Sequence, residues 1–349
     1  MYHSIRPGRI WLDTDGKRIQ AHGGSVLAVD GVYYWYGENK EKTIPGSGIW
    51  HWGVRLYSST DLYNWKDEGI ILPPDTDDVS SPIHPASCMD RPHILYNEKD
   101  RRFVMWVKIM EKDGTQCMTV AVSDTLKGPF RVVDRFRPVG LSSGDFDLVK
   151  RPDGSACILF EEVHTSLIVA DLTPDYLHTT GFYTRHMERP YPPYVREAPA
   201  CFHADGHWFL FTSGTTGYLP NRSETATAPD LHGPWEVLGD PHIGDPRHNS
   251  FFSQITSVFH VSGTRLYIAL ADRWLTDIVG RDDIHAEEWF ATLFSPDTSD
   301  DEKKEAERLI HTASAENTSL ADYVWLPVEW EDGKPVLRWH DEWKIEDYL

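Results

Sequence analysis

The chain is short of positive charge. Lys and Arg number 34 against 54 Asp and Glu, for a net charge of −20. A protein that grips a phosphate backbone needs a basic face, so this balance argues against a nucleic-acid partner. Long apolar runs are also missing. No stretch approaches the ~20 residues of a membrane helix, and the opening M-Y-H-S-I-R-P-G-R-I-W has no apolar signal region. No membrane association and a cytoplasmic location are expected. The four cysteines, Cys88, Cys117, Cys157 and Cys201, are widely spaced and form no C-x-x-C pair. They read as reduced, partly buried thiols without a zinc site. Helical periodicity is nearly absent. The one candidate runs over residues 299–313, where Ser299 and Glu302 have capping-box spacing and acids crowd the first turn.

Aromatic residues are abundant, with 14 Trp, 15 Tyr and 14 Phe. Such side chains build cores, and they also build the stacking walls of sugar clefts. A unit of strand, turn and aromatic-rich strand recurs five times, starting near His22, Asp90, Ser143, Arg196 and Ser253. With Val26, Ile94, Leu148, Ala200 and Val258 as comparable points, the steps are 68, 54, 52 and 58 residues. A blade of about four short strands needs that spacing. Three copies are followed by a second echo, S-S-T-D-L-Y-N-W-K-D at Ser58, S-D-T-L-K-G-P-F-R-V at Ser123 and A-P-D-L-H-G-P-W-E-V at Ala228. No Pro/Gly/Ser linker divides the chain. The expectation is an all-β, five-bladed β-propeller, a single domain over residues 1–349, with the helix near 299–313 as an insertion. Tyr323–Trp330 and Pro335–Trp339 would complete the last blade beside an N-terminal strand near Ile10–Leu12.

In a propeller the innermost strands start near one axis, so the first positions of the repeats meet. Here those positions hold His22 or Gly23, Asp90, Asp145, Glu197 and Gln254. Taken singly, each acid reads as a strand-end cap. Converging carboxyls are unusual because like charges raise each other's pKa. A pair of carboxyls around a small polar ligand is what glycoside hydrolysis requires, one donating a proton to the leaving oxygen and one serving the water. Glu197 stands before the hairpin turned by Asp205-Gly206, where a strand can aim one carboxyl group.

The motifs W-L-D-T-D-G-K-R-I-Q-A-H-G-G, Y-Y-W-Y-G-E-N-K, D-R-P-H-I-L-Y-N, S-G-D-F-D-L, R-E-A-P-A, S-G-T-T-G-Y-L-P-N, S-Q-I-T-S-V-F and A-D-R-W span nearly the whole chain. As a set they resemble glycoside hydrolase family 43, the five-bladed propeller glycosidases, in the branch of the exo-β-1,3-galactanases and neighbouring furanosidases. The resemblance implies inversion at the anomeric carbon with Glu197 as general acid. Asp90 matches the carboxylate that tunes and orients that acid, at a position where galactanases carry Glu. Asp145 matches an acid that binds sugar hydroxyls. Most of the family has a general-base Asp in the first blade, in an A-D-P-like motif, and A-H-G-G stands there instead. The galactanase branch shares the gap, and a glutamine matching Gln254 assists the water there.

Further contacts follow from the expected pocket. Glu38 is a ligand for sugar hydroxyls or a substitute carboxylate. His22 is a hydrogen-bond donor to the sugar or a ligand for a central ion. Trp52, with His51, forms an aromatic wall, and Trp106, Thr215, Arg273 and Trp274 face the axis. No catalytic metal is needed for carboxyl-mediated inversion; the resemblance admits a structural calcium on the axis. The first functional reading is an exo-acting inverting glycosidase removing terminal furanosyl residues, an α-L-arabinofuranosidase or β-D-galactofuranosidase, from oligosaccharides or polysaccharide side chains. The second is an exo-β-1,3-galactanase. A third, from another class, is a carbohydrate-binding propeller without catalysis.

Overall fold

The structure is a computed structural model and describes residues 1–348. Four sheets follow one another in strict chain order. The first holds β1 His22–Val29, β2 Val32–Glu38, β3 Val54–Ser59 and β4 Lys66–Leu72. The second holds β5 Cys88–Asn97, β6 Arg102–Met110, β7 Gln116–Ser123 and β8 Arg131–Phe136. The third holds β9 Ser143–Lys150, β10 Ala156–Glu162, β11 Ser166–Leu172 and β12 Thr179–His186. The fourth holds β13 Arg196–Ala204, β14 His207–Gly214, β15 Glu224–Ala228 and β16 Glu236–Gly239. All neighbouring strands in them are antiparallel. The remaining strands are β17 His242–Ile243, β18 Gln254–His260, β19 Tyr267–Arg273, β20 Asp322–Tyr323, β21 Leu326–Pro327, β22 Glu329–Glu331 and β23 Lys334–Arg338.

The expected count of five sheets is corrected to six. β18 and β19 join β20 and β21 in a fifth sheet, and β22, β23 and β17 form a separate three-stranded sixth. The hairpin near the C-terminus therefore does not complete the last repeat. Its β23 pairs in parallel with β17, His242 opposite Leu337. A two-residue strand after Pro241 carries no periodic signal, which is why the repeats did not reveal this sheet. No strand forms at Ile10–Leu12. Isolated bridges link Arg9 to Tyr323 and Leu12 to Arg18 instead.

Turn chemistry explains the hairpins. Asp30-Gly31, Asp205-Gly206 and Asp332-Gly333 have both residues at positive φ, the type I′ requirement that Asp-Gly meets. The expected helix is present as α2, Asp300–Thr312, with a complete capping box between Ser299 and Glu302. A preceding helix, α1 Ala286–Phe294, went unread in the sequence.

The innermost strands β1, β5, β9, β13 and β18 pack side by side in a closed circuit around one axis. Apolar side chains fill the wedges between sheets. Trp11, Trp35, Trp65 and Trp325 form one such wedge, with ring centroids 4.5–6.0 Å apart. These wedges hold the inner strand ends in fixed positions around the axis.

Candidate active site

Each inner strand is irregular where it reaches the axis. The ladder slips between His22 and Ser25, between Asp90 and His93, between Glu197 and Ala200, and between Ile255 and Ser257. A left-handed residue follows three of the expected positions: Gly23 (φ 62°) after His22, Arg91 (φ 51°) after Asp90, and Ala198 (φ 49°) after Glu197. A bulge of this kind bends the strand and re-aims a side chain. The same device is thus used three times to turn a side chain at the axis.

Asp90, Asp145, Glu197, Gln254, Glu38 and Trp274 all line one pocket of about 610 Å³, counted to its open mouth. Trp50, Arg91, Lys108, Met110 and Tyr218 line it as well. The A-H-G-G departure has a local explanation. A Cβ on Gly23 would stand 2.4 Å from Glu38 Oε1. The Glu38 carboxylate fills the space a side chain at position 23 would need, so a carboxylate reaches this part of the axis from β2.

Two lysines and an arginine hold the acids apart. Lys108 Nζ bridges Asp90 Oδ2 (3.1 Å) and Asp145 Oδ1 (3.0 Å). Lys40 Nζ, fully buried, lies 2.8 Å from Glu38 Oε2 and 3.7 Å from Asp90 Oδ1. Arg91 reaches Asp145 Oδ2 through Nε (2.7 Å) and donates through Nη2 to Gln254 Oε1 (2.5 Å). Its backbone N–H donates to Glu38 Oε1 at 2.8 Å. Trp50 Nε1 donates to Asp90 Oδ1 at 2.7 Å. Burial alone would raise Asp90, yet Lys108 and Lys40 hold it down at about 2. Asp145 is lowered likewise, by Arg91 and Lys108 against its burial. Glu38 goes the other way, to about 7, because burial outweighs its pairing with Lys40.

Glu197 is pushed well above the ordinary carboxylate range. Burial is the main cause, and the charges of Asp145 and Glu161 add to it. A raised carboxyl pKa is what a general acid requires. Gln254 holds the acid in place. Its Nε2 donates to Glu197 Oε1 (3.1 Å) and Ser213 Oγ (2.9 Å). Its Oε1 accepts from Trp274 Nε1 (3.1 Å) as well as from Arg91. Both N–H groups and both lone pairs are therefore committed.

Several expected residues lie elsewhere. His22 is fully buried, with Nδ1 2.8 Å from Asp272 Oδ1 and its ring stacked on Tyr323 at 4.8 Å. It supports the wall behind the pocket. Trp52 carries Lys42 Nζ over its ring at 3.3 Å, outside the pocket lining. Trp106 is wholly core, its Nε1 donating to Tyr176 O. Thr215 donates to Val195 O. Arg273 donates to Phe251 O and lies over Trp339. The aromatic wall is made by Trp50, Tyr218 and Trp274, with centroids 6.0 Å and 5.3 Å apart in sequence of contact. Trp50 and Trp52 flank His51 in one loop; the bond to Asp90 and the stacking on Tyr218 set Trp50 in the pocket. Arg91, in the quoted D-R-P-H motif, and Lys108, in V-K-I-M after Trp106, could have been found as the cations that converging acids need.

Beside the axis both Asp272 oxygens are engaged, Oδ1 with His22 Nδ1 and Oδ2 with Gly23 N–H, each at 2.8 Å. Away from the axis, Cys157 of β10, Asp171 of β11 and His232, in the loop after β15, come together. There Arg151 pairs with the Asp171 oxygen that accepts from Cys157 and His232, and burial holds the thiol in its protonated form.

Residues 19–271 match the model of glycosyl hydrolases family 43. Among solved structures, the chain is similar to a family 43 β-1,3-galactosidase with 28% identity and a TM-score of 0.80, over 99% of this chain and 64% of that one. It therefore spans less than two thirds of that protein's length. A second β-1,3-galactosidase of the family, solved with galactodeoxynojirimycin, is 29% identical with a TM-score of 0.79, over 98% of this chain and 100% of the other. An exo-β-1,3-galactanase from Clostridium thermocellum is 26% identical with a TM-score of 0.73, over 97% and 66%. No curated protein matches the sequence.

Proposed function

The chain belongs to glycosyl hydrolases family 43, and from that premise we propose that it is an exo-acting, inverting β-1,3-galactosidase that releases galactose from the ends of β-1,3-galactan or its oligosaccharides. One observation carries this choice over a furanosidase. The likeness to two β-1,3-galactosidases runs over 98–99% of the chain at 28–29% identity. The pocket is consistent with it. Trp50, Tyr218 and Trp274 offer an aromatic wall to a sugar ring, and Asp90, Asp145 and Glu38 offer acceptors to its hydroxyls.

In this reading Glu197 protonates the glycosidic oxygen as the bond to the anomeric carbon breaks. Water attacks the anomeric carbon from the opposite face and passes its proton to solvent, so the product has inverted configuration and Glu197 later regains its proton from solvent. Arg91, Lys108 and Lys40 keep the neighbouring carboxylates ionised and separate. Gln254 fixes the Glu197 carboxyl group so that its proton points in one direction. The general acid contributes roughly 10²–10⁴ in rate.

The test is a panel of aryl glycosides (β-D-galactopyranoside, α-L-arabinofuranoside, β-D-galactofuranoside, β-D-xyloside) with β-1,3-galactan alongside, for wild type and Glu197→Gln. Galactose release from galactan, lost in the variant, is the expected result. Turnover of a furanoside alone would make the enzyme a furanosidase. Binding without any turnover would make it a binding propeller.

A further inference from the structure

Glu161 is a buried carboxylate that the reaction as described does not use. Its direction follows from the strand it sits on. Leu159, two residues earlier on β10, packs with Cys201 of β13 between the third and fourth sheets. Asp147, opposite Leu159 in the ladder, accepts from Cys201 N–H at 2.8 Å, so this face of the sheet looks at β13. Side chains alternate along a strand. Glu161 therefore leaves β10 on the same face, one step nearer the pocket, toward the end of β13 where Glu197 is the second residue.

The carboxylate has a prepared seat. Oε1 accepts from His164 N–H at 2.8 Å and faces His164 Nδ1 at 3.3 Å. Oε2 lies over Gly144, where an added Cβ would stand 2.1 Å away. Glycine next to Asp145 is what leaves room for it. The charges around Glu197 come from four elements: Asp145 on β9, Glu161 on β10, Arg91 on β5 and Lys108 on β6. Arg91 and Lys108 are both paired to Asp145, at 2.7 and 3.0 Å, and so offset its charge. Among the described residues, Glu161 is paired with no Lys or Arg. Its partner is His164, whose side chain is 41% exposed.

We propose that Glu161 is a positioning residue for the reaction: seated over Gly144 and clamped by His164, its carboxylate places an uncompensated negative charge beside Glu197 and keeps the proton on that acid. The proposal rests on Glu197 being the general acid. An inverting acid must regain its proton after every turnover, and a like charge nearby favours that recovery.

The experiment compares pH profiles of kcat/KM for wild type, Glu161→Gln and Gly144→Ala, the second variant displacing the carboxylate without removing it. Both variants should lose the alkaline side first. That limb should move toward acid by about one pH unit, the scale on which a single charge shifts a carboxyl, giving a ten-fold loss at a pH where wild type is still on its plateau. The acid-side plateau should stay within two-fold. Glu161→Asp should restore part of the limb, and a dinitrophenyl leaving group, which needs no acid, should show no difference. Superimposable profiles, or an equal loss at every pH, would overturn the proposal. Infrared titration of the Glu197 carboxyl, identified as the band absent in Glu197→Gln, gives a readout that needs no substrate. If no glycoside is cleaved, the reading of the activity fails alone. The Glu197 band should still titrate at lower pH in Glu161→Gln, and an unchanged titration would reject the role of Glu161.

Discussion

Gln254 Nε2 donates to Glu197 Oε1 at 3.1 Å, while Gln254 Oε1 accepts from Arg91 and Trp274. A neutral amide with every hydrogen-bonding site filled orients the acid beside it. Gln254→Ala frees the Glu197 carboxyl and leaves Arg91 and Trp274 donors unpaired. Turnover should fall about 10–100-fold, the scale of one or two lost hydrogen bonds to a buried polar group, and KM should change less than kcat. Gln254→Glu keeps the two accepted bonds but sets a carboxylate against Glu197. Like charge resists ionisation, so the alkaline limb of kcat/KM should move to higher pH. Steady-state kinetics across pH checks both.

Trp50 bridges the aromatic wall and the Asp90 carboxylate. Trp50→Phe keeps a stacking face and loses the bond to Asp90. Trp50→Ala loses both. KM for a galactoside should rise modestly in the first and about five-fold more in the second, because an aromatic contact is worth ~1 kcal/mol. Trp52→Ala should leave KM near wild type, since Trp52 lies outside the pocket lining. Equal effects at the two positions would reject this assignment of the wall.

Lys108 is shared by Asp90 and Asp145. Lys108→Met strips the counter-charge from two buried carboxylates and should destabilise the fold by about 3–5 kcal/mol at neutral pH. The pH dependence has a definite sign. Asp90 is held below its unfolded value, so its contribution is present above that value and lost as pH falls toward about 2. The deficit of the variant should therefore be largest near neutrality and narrow in acid. Denaturant unfolding from pH 7 to pH 3 measures it.

Asp147 behaves in the opposite sense. Burial raises it to about 7, with His93 Nδ1 3.3 Å away. The folded state therefore favours the protonated acid. That contribution is complete below the unfolded value and fades as pH rises through the ordinary carboxylate range to about 7. Asp147→Asn cannot ionise and can still accept from Cys201 N–H. It should be more stable than wild type by roughly 1–2 kcal/mol above pH 7 and lose the advantage in acid. Tm values at pH 5 and pH 8 decide the matter.

The sequence by itself determined that the chain is all-β and that its repeats bring acids together. Those features are local: alternating side chains, Asp-Gly turns at positive φ, a Ser-x-x-Glu cap on α2, and acids near the heads of β5, β9 and β13. They placed Asp90, Asp145, Glu197, Gln254, Glu38 and Trp274 in one pocket, and they named the family. The tertiary structure decided the rest. It chose Trp50 over Trp52 through a bond to Asp90, forty residues on. It sent His22 and Trp106 into the interior and set Glu38 into the space over Gly23. It paired β17 with β23 to make a sixth sheet. Each of these rests on contacts between segments distant in sequence, where burial and charge pairing override anything a local pattern can specify.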